Sequence, residues 1–532
     1  MQDNIDLIQQ AYDNQPYLSL PFPQCAPERI AAIAHLFGLS TPDPATARVL
    51  ELGCAAGGNL IPYAARNRGA KALGVDLSGR QVADGQRMIQ ALGLDNIQLR
   101  QGDIAKLAES PGTFDYVICH GVYSWVPAHV RDAIMRICER QLGPNGVAYI
   151  SYNTYPGWKA KEVMRDAMLF RSVGQPDPRL RLQAGRSMVA FLGRSVVPDS
   201  VIARIIGQYA PAVRDGRDDY VAHEFLEPNN LPCYFHDFLA HAADHGLAYL
   251  AEAEVSTMFA TNLPPDVAEP LLKEFGGDQR QLEQCMDFIR NREFRQTLLF
   301  REGLKRSAGY RLDEQRLRGL HYTADLPCLD GAARYDAHPQ RFGSTSAHVA
   351  TLATPVFKAA AVALTEAWPG TLSVDAMLAG IRDRIGAPPE QVEPQLLPFL
   401  GMLVRRGIGA FRLQPVPGSR MAGARPLVPA ITRRHAALLA VSGNGGHVFN
   451  DWHEPVMLDA ASMEILPLLD GAHGVDDMVA ALRKATGVDG ISGPAAPSPA
   501  AAAAAAAAVS DVELRRRIEG FLVQLEDMKL LQ

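Results

Sequence analysis

RVLELGCAAGGNL (Arg48–Leu60) runs from apolar, strand-like residues into a glycine turn and then into a stretch of helical period. Which ligand that turn can hold decides how the rest is read. From Arg48 to Tyr152 short apolar runs alternate with amphipathic stretches, the pattern of βα units feeding a parallel sheet. The expected strands are VLELG (49–53), ALGVD (72–76), IQLRQ (97–101), FDYVICH (114–120) and VAYISYN (147–153). Helices are expected near 59–67, 79–91 and 127–141, the last closed by Gly143-Pro144-Asn145-Gly146, read as a stop and turn.

Three nucleotide loops can be tried on the turn. A phosphate loop of the G-x-x-x-x-G-K-[ST] type has its glycine spacing at Gly53 and Gly58, but Asn59-Leu60 stand where the lysine and hydroxyl belong. A dinucleotide loop needs a second glycine where Ala55 stands, and its Cβ crowds the approach of a pyrophosphate. A ligand without phosphate fits better. S-adenosylmethionine presents an adenosine, a sulfonium and an amino-acid tail, and E-x-G-x-x-x-G-G-N (Glu51, Gly53, Gly57, Gly58, Asn59) sets an acid just before the turn to answer the ammonium. Downstream, Asp76 ends the second strand where a carboxylate can accept both ribose hydroxyls. Asp103 follows the third strand, placed to accept from the adenine amino group while Ile104 packs on the ring. Cys54, Leu77 and His120 complete the expected cofactor contacts.

Residues 160–245 are mostly of helical period, with a polar break at RSVGQPDPR (171–179). GLAYLAEAE (246–254) and FRQTLLFRE (294–302) then read as strands able to pair over the raw edge of a five-stranded sheet. Beyond about 305 the chain repeats itself. VDAMLAGIR (374–382) answers VDDMVAALR (475–483), each after a glycine (Gly370, Gly471) and a Pro-Val start (Pro355-Val356, Pro455-Val456). FLGMLVRRGIG from Phe399 answers FLVQLEDMKLL from Phe521, and the change of offset matches ISGPAAPSPAAAAAAAAAVSD (491–511), a low-complexity linker. Two small, mostly helical modules follow from this.

The 532 residues suffice for several cores. No apolar run reaches membrane-spanning length, and MQDNIDLIQQ has no signal-peptide character, so a cytoplasmic protein is expected. Seven scattered cysteines without a CxxC exclude a disulfide framework and a cysteine zinc site. A net charge of -6 offers no general attraction to nucleic acid. His223-Glu224 and His453-Glu454 lack the second histidine of HExxH, and RRR (515–517) and RRH (433–435) read as solvated helix faces, so neither metal nor nucleic acid is expected.

The chain resembles the class I S-adenosylmethionine-dependent methyltransferases. More narrowly it is similar to the bacterial branch carrying a methyltransferase regulatory domain, which includes the rickettsial protein-lysine methyltransferases acting on outer-membrane proteins. The resemblance rests on AYDNQPYLSLPFPQ (11–24), VLELGCAAGGNL (49–60), GVDLS (74–78), GDI (102–104), FDYVICHGVYSWVP (114–127), GVAYISYNTYPGW (146–158), HEFLEPNNLPCYFHDF (223–238) and DFIRNREFRQTLLFR (287–301), with WHEPV (452–456) in the tail. It implies an α/β fold: a Rossmann-like seven-stranded methyltransferase domain with a helical insertion, then two mostly helical, winged-helix-like modules. The divisions expected are a lid or strap over 1–45, the cofactor core over 46–160, the insertion and regulatory domain over 161–305, and modules over 306–430 and 431–532.

Methyl transfer needs an acceptor aligned behind an already activated carbon. His120, Tyr123, Trp125, Asn153 and Tyr155 follow the fourth and fifth strands, where such an acceptor sits, and Tyr12 and Tyr17 stand in the N-terminal segment as a lid. An aromatic channel would desolvate a lysine ammonium. The same aromatics and His120 also suit plain packing. Lysine as acceptor, a protein partner and recruitment of substrate or a second, homodimeric subunit by the C-terminal modules rest on the resemblance. A small-molecule methyltransferase and a non-catalytic S-adenosylmethionine-responsive regulator are the alternatives.

Overall fold

The computed structural model describes residues 18–107, 112–303, 310–343, 349–420, 422–441, 445–485 and 510–532. Tyr12, Tyr17 and the linker up to residue 509 lie outside the described residues. The chain divides into two compact units near Leu312.

The first unit is built on seven strands: β1 (Arg48–Leu52), β2 (Lys71–Asp76), β3 (Ile97–Gln101), β4 (Phe114–Cys119), β5 (Leu142–Asn153), β6 (Leu247–Glu252) and β7 (Phe294–Arg301). Their order is β3-β2-β1-β4-β5-β7-β6. The first five run parallel, and β7 lies antiparallel between β5 and β6. Continuous apolar runs in β1 and β4 follow from burial on both faces. Order reverses between β1 and β4, which opens a crevice beyond their carboxyl ends, the place where such sheets hold ligands. The two late strands pair as expected and remove the edge of β5.

One boundary differs. β5 begins at Leu142, so Gly143–Gly146 continues the strand instead of turning. Leu142 pairs with Phe114 and Val147 with Tyr116, so the surplus residues are absorbed as a bulge in which Pro144 gives up no ladder hydrogen bond. The helix Ala128–Gln141 packs Val130, Ala133, Ile134, Ile137 and Cys138 on this sheet, with the helix Phe235–Asp244 contributing Phe238 and Ala242 to the same core. Each fully buried Ile or Phe there adds about 1.5–3 kcal/mol.

Helices Gly157–Ser172, Pro178–Ser195, Val201–Asp215 and Asp218–Leu226 form the insertion around a separate core of Met164, Met168, Leu182, Val189, Ile206 and Phe225. The polar break contains Asp177, whose carboxylate accepts from Arg179 N at 2.7 Å and starts the second helix. Arg295 on β7, fully buried, meets Glu252 at 2.9 Å, Glu283 at 3.1 Å and Asp287 at 2.8 Å, and its guanidinium lies 3.6 Å from the Phe235 ring centroid. That network fixes β6 and β7 to the helix Gln279–Arg290, since loss of one partner leaves a buried charge unanswered.

In the second unit one element order occurs twice. The hairpin Gln340–Gly343/Val349–Leu352 precedes helices Pro355–Ala367, Val374–Ile385 and Pro389–Arg406. The hairpin Gly446–Phe449/Pro455–Leu458 precedes helices Ala460–Ile465, Val475–Ala485 and Asp511–Met528. The two repeat motifs open matching helices, and Phe399 and Phe521 hold the same place in helices of 18 residues each. The Pro-Val pairs do not match: Pro355 opens a helix, whereas Pro455 opens a strand. Proline suits a first helical turn and a strand start equally, so the dipeptide carries no register. Ser510 accepts from Glu513 N at 3.2 Å and caps the last helix. Trp452 of the WHEPV stretch donates to Pro369 O at 3.0 Å, under the Arg412 guanidinium, and joins the two halves of this unit.

Candidate active site

β1 carries Glu51 to the sheet's carboxyl edge, where it is 2% exposed. One carboxylate oxygen accepts from Asn59 Nδ2 at 2.7 Å, and the other is buried with no hydrogen-bond partner. Burial pushes the carboxyl up to about 8; the Asn59 amide opposes this, and the negative charge of Asp76 adds to it. Asn59, at the position of a phosphate loop's lysine, thus orients an acid instead of binding phosphate.

The turn itself is left-handed at Gly53 (φ 75°), Ala55 (φ 49°) and Gly57 (φ 84°). A Cβ on Gly53 would stand 2.3 Å from Val122 Cγ2, so glycine is needed for space as well as conformation. Ala55 is held there by a charge-assisted bond: its N–H donates to Asp76 Oδ2 at 2.8 Å, and Ser78 N donates to Oδ1 at 2.9 Å. Gly58 N donates to Ser19 Oγ at 2.8 Å, so the N-terminal segment enters the loop's hydrogen bonding. Cys54 is buried and Leu77 half-buried. Asp103 accepts from Ala105 N at 2.9 Å and starts the short helix Ile104–Leu107, whose Ile104 joins the core beside Leu52 and Val75.

Beyond β4 and β5 a second set gathers. His120 Nδ1 lies 2.9 Å from Tyr149 OH, its ring edge-on to Phe294, and burial lowers it to about 4, which leaves a neutral imidazole at physiological pH. Gly121 N donates to Ser151 Oγ at 2.8 Å and ties the two strand ends together. Trp125 is half-buried, with its ring perpendicular to that of the buried Trp158 at 6.1 Å. Asn153 N donates to Ser124 Oγ at 2.9 Å, and its side-chain amide donates to Asn230 Oδ1 at 2.9 Å. Tyr155 donates to Glu162 at 2.7 Å, and the Lys159 ammonium stands 3.8 Å over its ring.

The structure therefore brings Glu51, Gly53, Gly57, Asn59 and Asp76 together around one loop, and His120, Trp125 and Asn153 at the neighbouring strand ends. Tyr123 takes the packing alternative. It is 2% exposed and packs on Phe238 and Tyr152, and its hydroxyl lies 2.7 Å from His241 Nδ1. A ring in the core with its hydroxyl engaged does not line an acceptor mouth. Tyr17 lies outside the described residues. Sequence reasoning missed Asn229 and Asn230. Leu231 N donates to Ser124 O at 2.8 Å and Cys233 N to Asn153 O at 3.2 Å, which straps this segment across the ends of β4 and β5. The Nδ2 groups of both asparagines are buried without a partner. The paired amides in EPNNLP were the available signal; their distance along the chain from β5 hid it.

Comparison with known proteins agrees with this geometry. Residues 49–146 match a methyltransferase domain, 217–301 a predicted methyltransferase regulatory domain, and 425–526 the C-terminal winged helix domain of PKMT. Uncharacterized protein RP789 of Rickettsia prowazekii is 43% identical over 295 residues, 55% of this chain and 53% of that protein. Uncharacterized protein RP028 of the same organism is 37% identical over 233 residues, 44% of this chain and 93% of that protein. The match thus spans about half the length of the first relative and nearly all of the second. Among solved structures, PKMT2 from Rickettsia typhi, determined alone and in complex with AdoHcy, superposes with a TM-score of 0.82 at 26% identity, covering 97% of this chain and 100% of that one. With the seven-stranded order, the glycine loop and the winged helix domain matched over 425–526, these matches place the chain in the class I S-adenosylmethionine-dependent methyltransferase family that carries a methyltransferase regulatory domain.

Proposed function

We propose that this chain transfers the methyl group of S-adenosylmethionine to a nitrogen of a protein side chain, with lysine the acceptor. The observation that carries the cofactor is the buried, unpartnered oxygen of Glu51 beside the left-handed turn, since a carboxylate kept dry at a ligand crevice calls for a cation. The residues fit the group. Glu51 would meet the ammonium, Asp76, already oriented by two amides, the ribose, and Asp103 the adenine end. Bound there, S-adenosylmethionine supplies a methyl carbon activated by its sulfonium. The AdoHcy of the rickettsial structure is the same molecule less that methyl.

The acceptor nitrogen must arrive neutral, its lone pair toward the methyl carbon. As the N–C bond forms, the C–S bond breaks and its electrons remain on sulfur. Aromatic surroundings at Trp125 and Tyr155 favour the neutral amine by removing water, and neutral His120 adds no positive charge to oppose its approach. Asn153, Asn229 and Asn230 offer polar contacts for the peptide that carries it. The winged-helix unit then serves to recruit the protein substrate or a second copy of the chain. The test incubates the full chain with methyl-labelled S-adenosylmethionine and lysate and locates the label. Label on lysine of a protein band is expected; label only in small molecules, or none while cofactor binds, overturns the reading.

A further inference from the structure

Away from the methyl-transfer crevice, among the described residues, Asp132, His241 and His245 bring ligand atoms within 4.8 Å of one another. His241 and His245 lie one turn apart at the end of the helix Phe235–Asp244, the latter as its C-cap. Asp132 and Glu139 lie two turns apart on the helix Ala128–Gln141. His241 Nε2 is 2.9 Å from Asp132 Oδ1, His245 Nδ1 is 3.6 Å from Glu139 Oε2, and the imidazole centroids are 5.4 Å apart.

We infer that this cluster is a site for one divalent transition-metal ion of the zinc class, bound by His241 through Nε2, by His245 and by the Asp132 carboxylate, with Glu139 or water completing the shell. Two imidazoles with a carboxylate favour such an ion over magnesium or calcium, which take oxygen shells. Histidines one helical turn apart present their nitrogens on one face, the spacing helical metal sites use. The tighter argument comes from Tyr123. Its buried hydroxyl lies 2.7 Å from His241 Nδ1 and holds the ring from behind; without an ion Nε2–H donates to Asp132 at 2.9 Å, and with an ion in place of that proton Nδ1–H would donate to the Tyr123 hydroxyl. Ring orientation is then set from behind, as around metal-bound histidines.

A tetrahedral shell with bonds near 2.0–2.1 Å needs ligand atoms about 3.3 Å apart. Asp132, with half its side chain exposed, and His245, at 17%, can close the present spacing by side-chain rotation. The same exposure gives an ion a way in. The ion would clip the helix that follows β4 to the helix that precedes β6. One leads out of the His120–Trp125 stretch and the other out of the Asn229–Cys233 strap, so the role is to hold the acceptor side in place.

The test uses the full chain stripped with chelator and titrated with zinc against a chromophoric competitor, with melting temperature followed in parallel. One equivalent should bind and raise the melting temperature; His245→Ala should weaken binding by at least about tenfold, with the two chelator-treated proteins melting alike. Should that variant fail to fold, Asp132→Asn is read in its place. Cobalt(II) at the site should show the comparatively intense d–d bands of a tetrahedral ion without a thiolate charge-transfer band. Absence of stoichiometric binding, wild-type affinity in both His245→Ala and Asp132→Asn, or a thiolate band from one of the cysteines each overturns the inference.

Discussion

The crevice has two sides that reach along the chain over very different distances. On the β1–β2 side, Glu51, Gly53, Ala55, Asn59 and Asp76 come from one βαβ unit, and the bonds from Asn59 to Glu51 and from Ala55 to Asp76 close within it, with Ser19 and Val122 reaching in from outside. On the β4–β5 side, Asn153 is completed by Asn230, 77 residues beyond it. A ligand common to a family can be held by a local unit; a ligand particular to one enzyme is read by whatever segment is laid across it.

The largest effect should come where the two sides touch. Gly53→Ala sets a Cβ 2.3 Å from Val122 Cγ2 and keeps φ at 75°. Left-handed backbone costs about 1–2 kcal/mol and overpacking about 1–3 kcal/mol, so a loss of roughly 2–5 kcal/mol is expected in denaturant unfolding. Val122→Ala in the same chain should restore the packing part alone. An unfolding midpoint matching wild type in Gly53→Ala would mean that the loop and the acceptor side are not in contact as described.

Next come two variants whose effects should separate. Asp76→Ala leaves the Ala55 and Ser78 amides without their charged partner, and S-adenosylmethionine affinity should fall by about 10²- to 10⁴-fold, two hydrogen bonds to charge being worth about 1.5–3 kcal/mol each. Asn230→Ala should leave that affinity within about twofold and lower kcat/KM for the protein acceptor roughly 10-fold to 100-fold. Equal loss of cofactor binding in both would end the division of the crevice into two sides.

Glu51 gives a smaller, graded effect. Its carboxyl sits near 8 in the folded chain, raised by burial. Pairing with the ligand's ammonium draws it down again, so binding near pH 7 releases a proton and affinity rises from pH 6 toward 8 by up to about tenfold per unit. The same shift lowers stability of the ligand-free chain in that direction: a raised folded value favours folding most below the ordinary range near 4.5, and the advantage is lost as pH rises through 8. Calorimetry in buffers of different ionisation enthalpy measures the proton directly. Glu51→Gln should flatten both profiles; an unchanged slope would remove Glu51 from the ammonium.

The same contrast explains what could be read in advance. Strands β1 to β4 and the acids beside the glycine turn announce themselves because burial on two faces and a turn of fixed handedness each leave a local mark. Start of β5 did not, because whether Gly143–Gly146 turns or bulges is decided by pairing with β4. Tyr123 stayed open between site and core for a related reason: an aromatic after a strand looks alike from sequence whether it faces a mouth or, as here, Phe238 from another helix. Asn229 and Asn230 carry the same lesson, being ordinary loop residues until the strap brings them to Asn153. The repeat in the second unit was legible through Phe399 and Phe521, whose helical place is fixed by core burial, and illegible through Pro-Val, which packs in either element.

Trp125 should show the smallest effect and makes the sharpest test of how the acceptor side works. Half-buried, it meets the buried Trp158 edge to face at 6.1 Å, a contact worth about 0.5–1.5 kcal/mol beyond area. Trp125→Phe keeps an apolar ring there, whereas Trp125→Ala removes the ring and admits water. If the ring only desolvates the amine, Trp125→Ala should raise the pH at which acceptor turnover reaches half-maximum and Trp125→Phe should not, with kcat at high pH within a few-fold of wild type in both. If it positions the acceptor by shape, both variants should raise KM for the protein substrate and leave the pH profile in place. A ring that only packs would change melting temperature and neither kinetic parameter, and the acceptor side would then rest on His120 and the three asparagines.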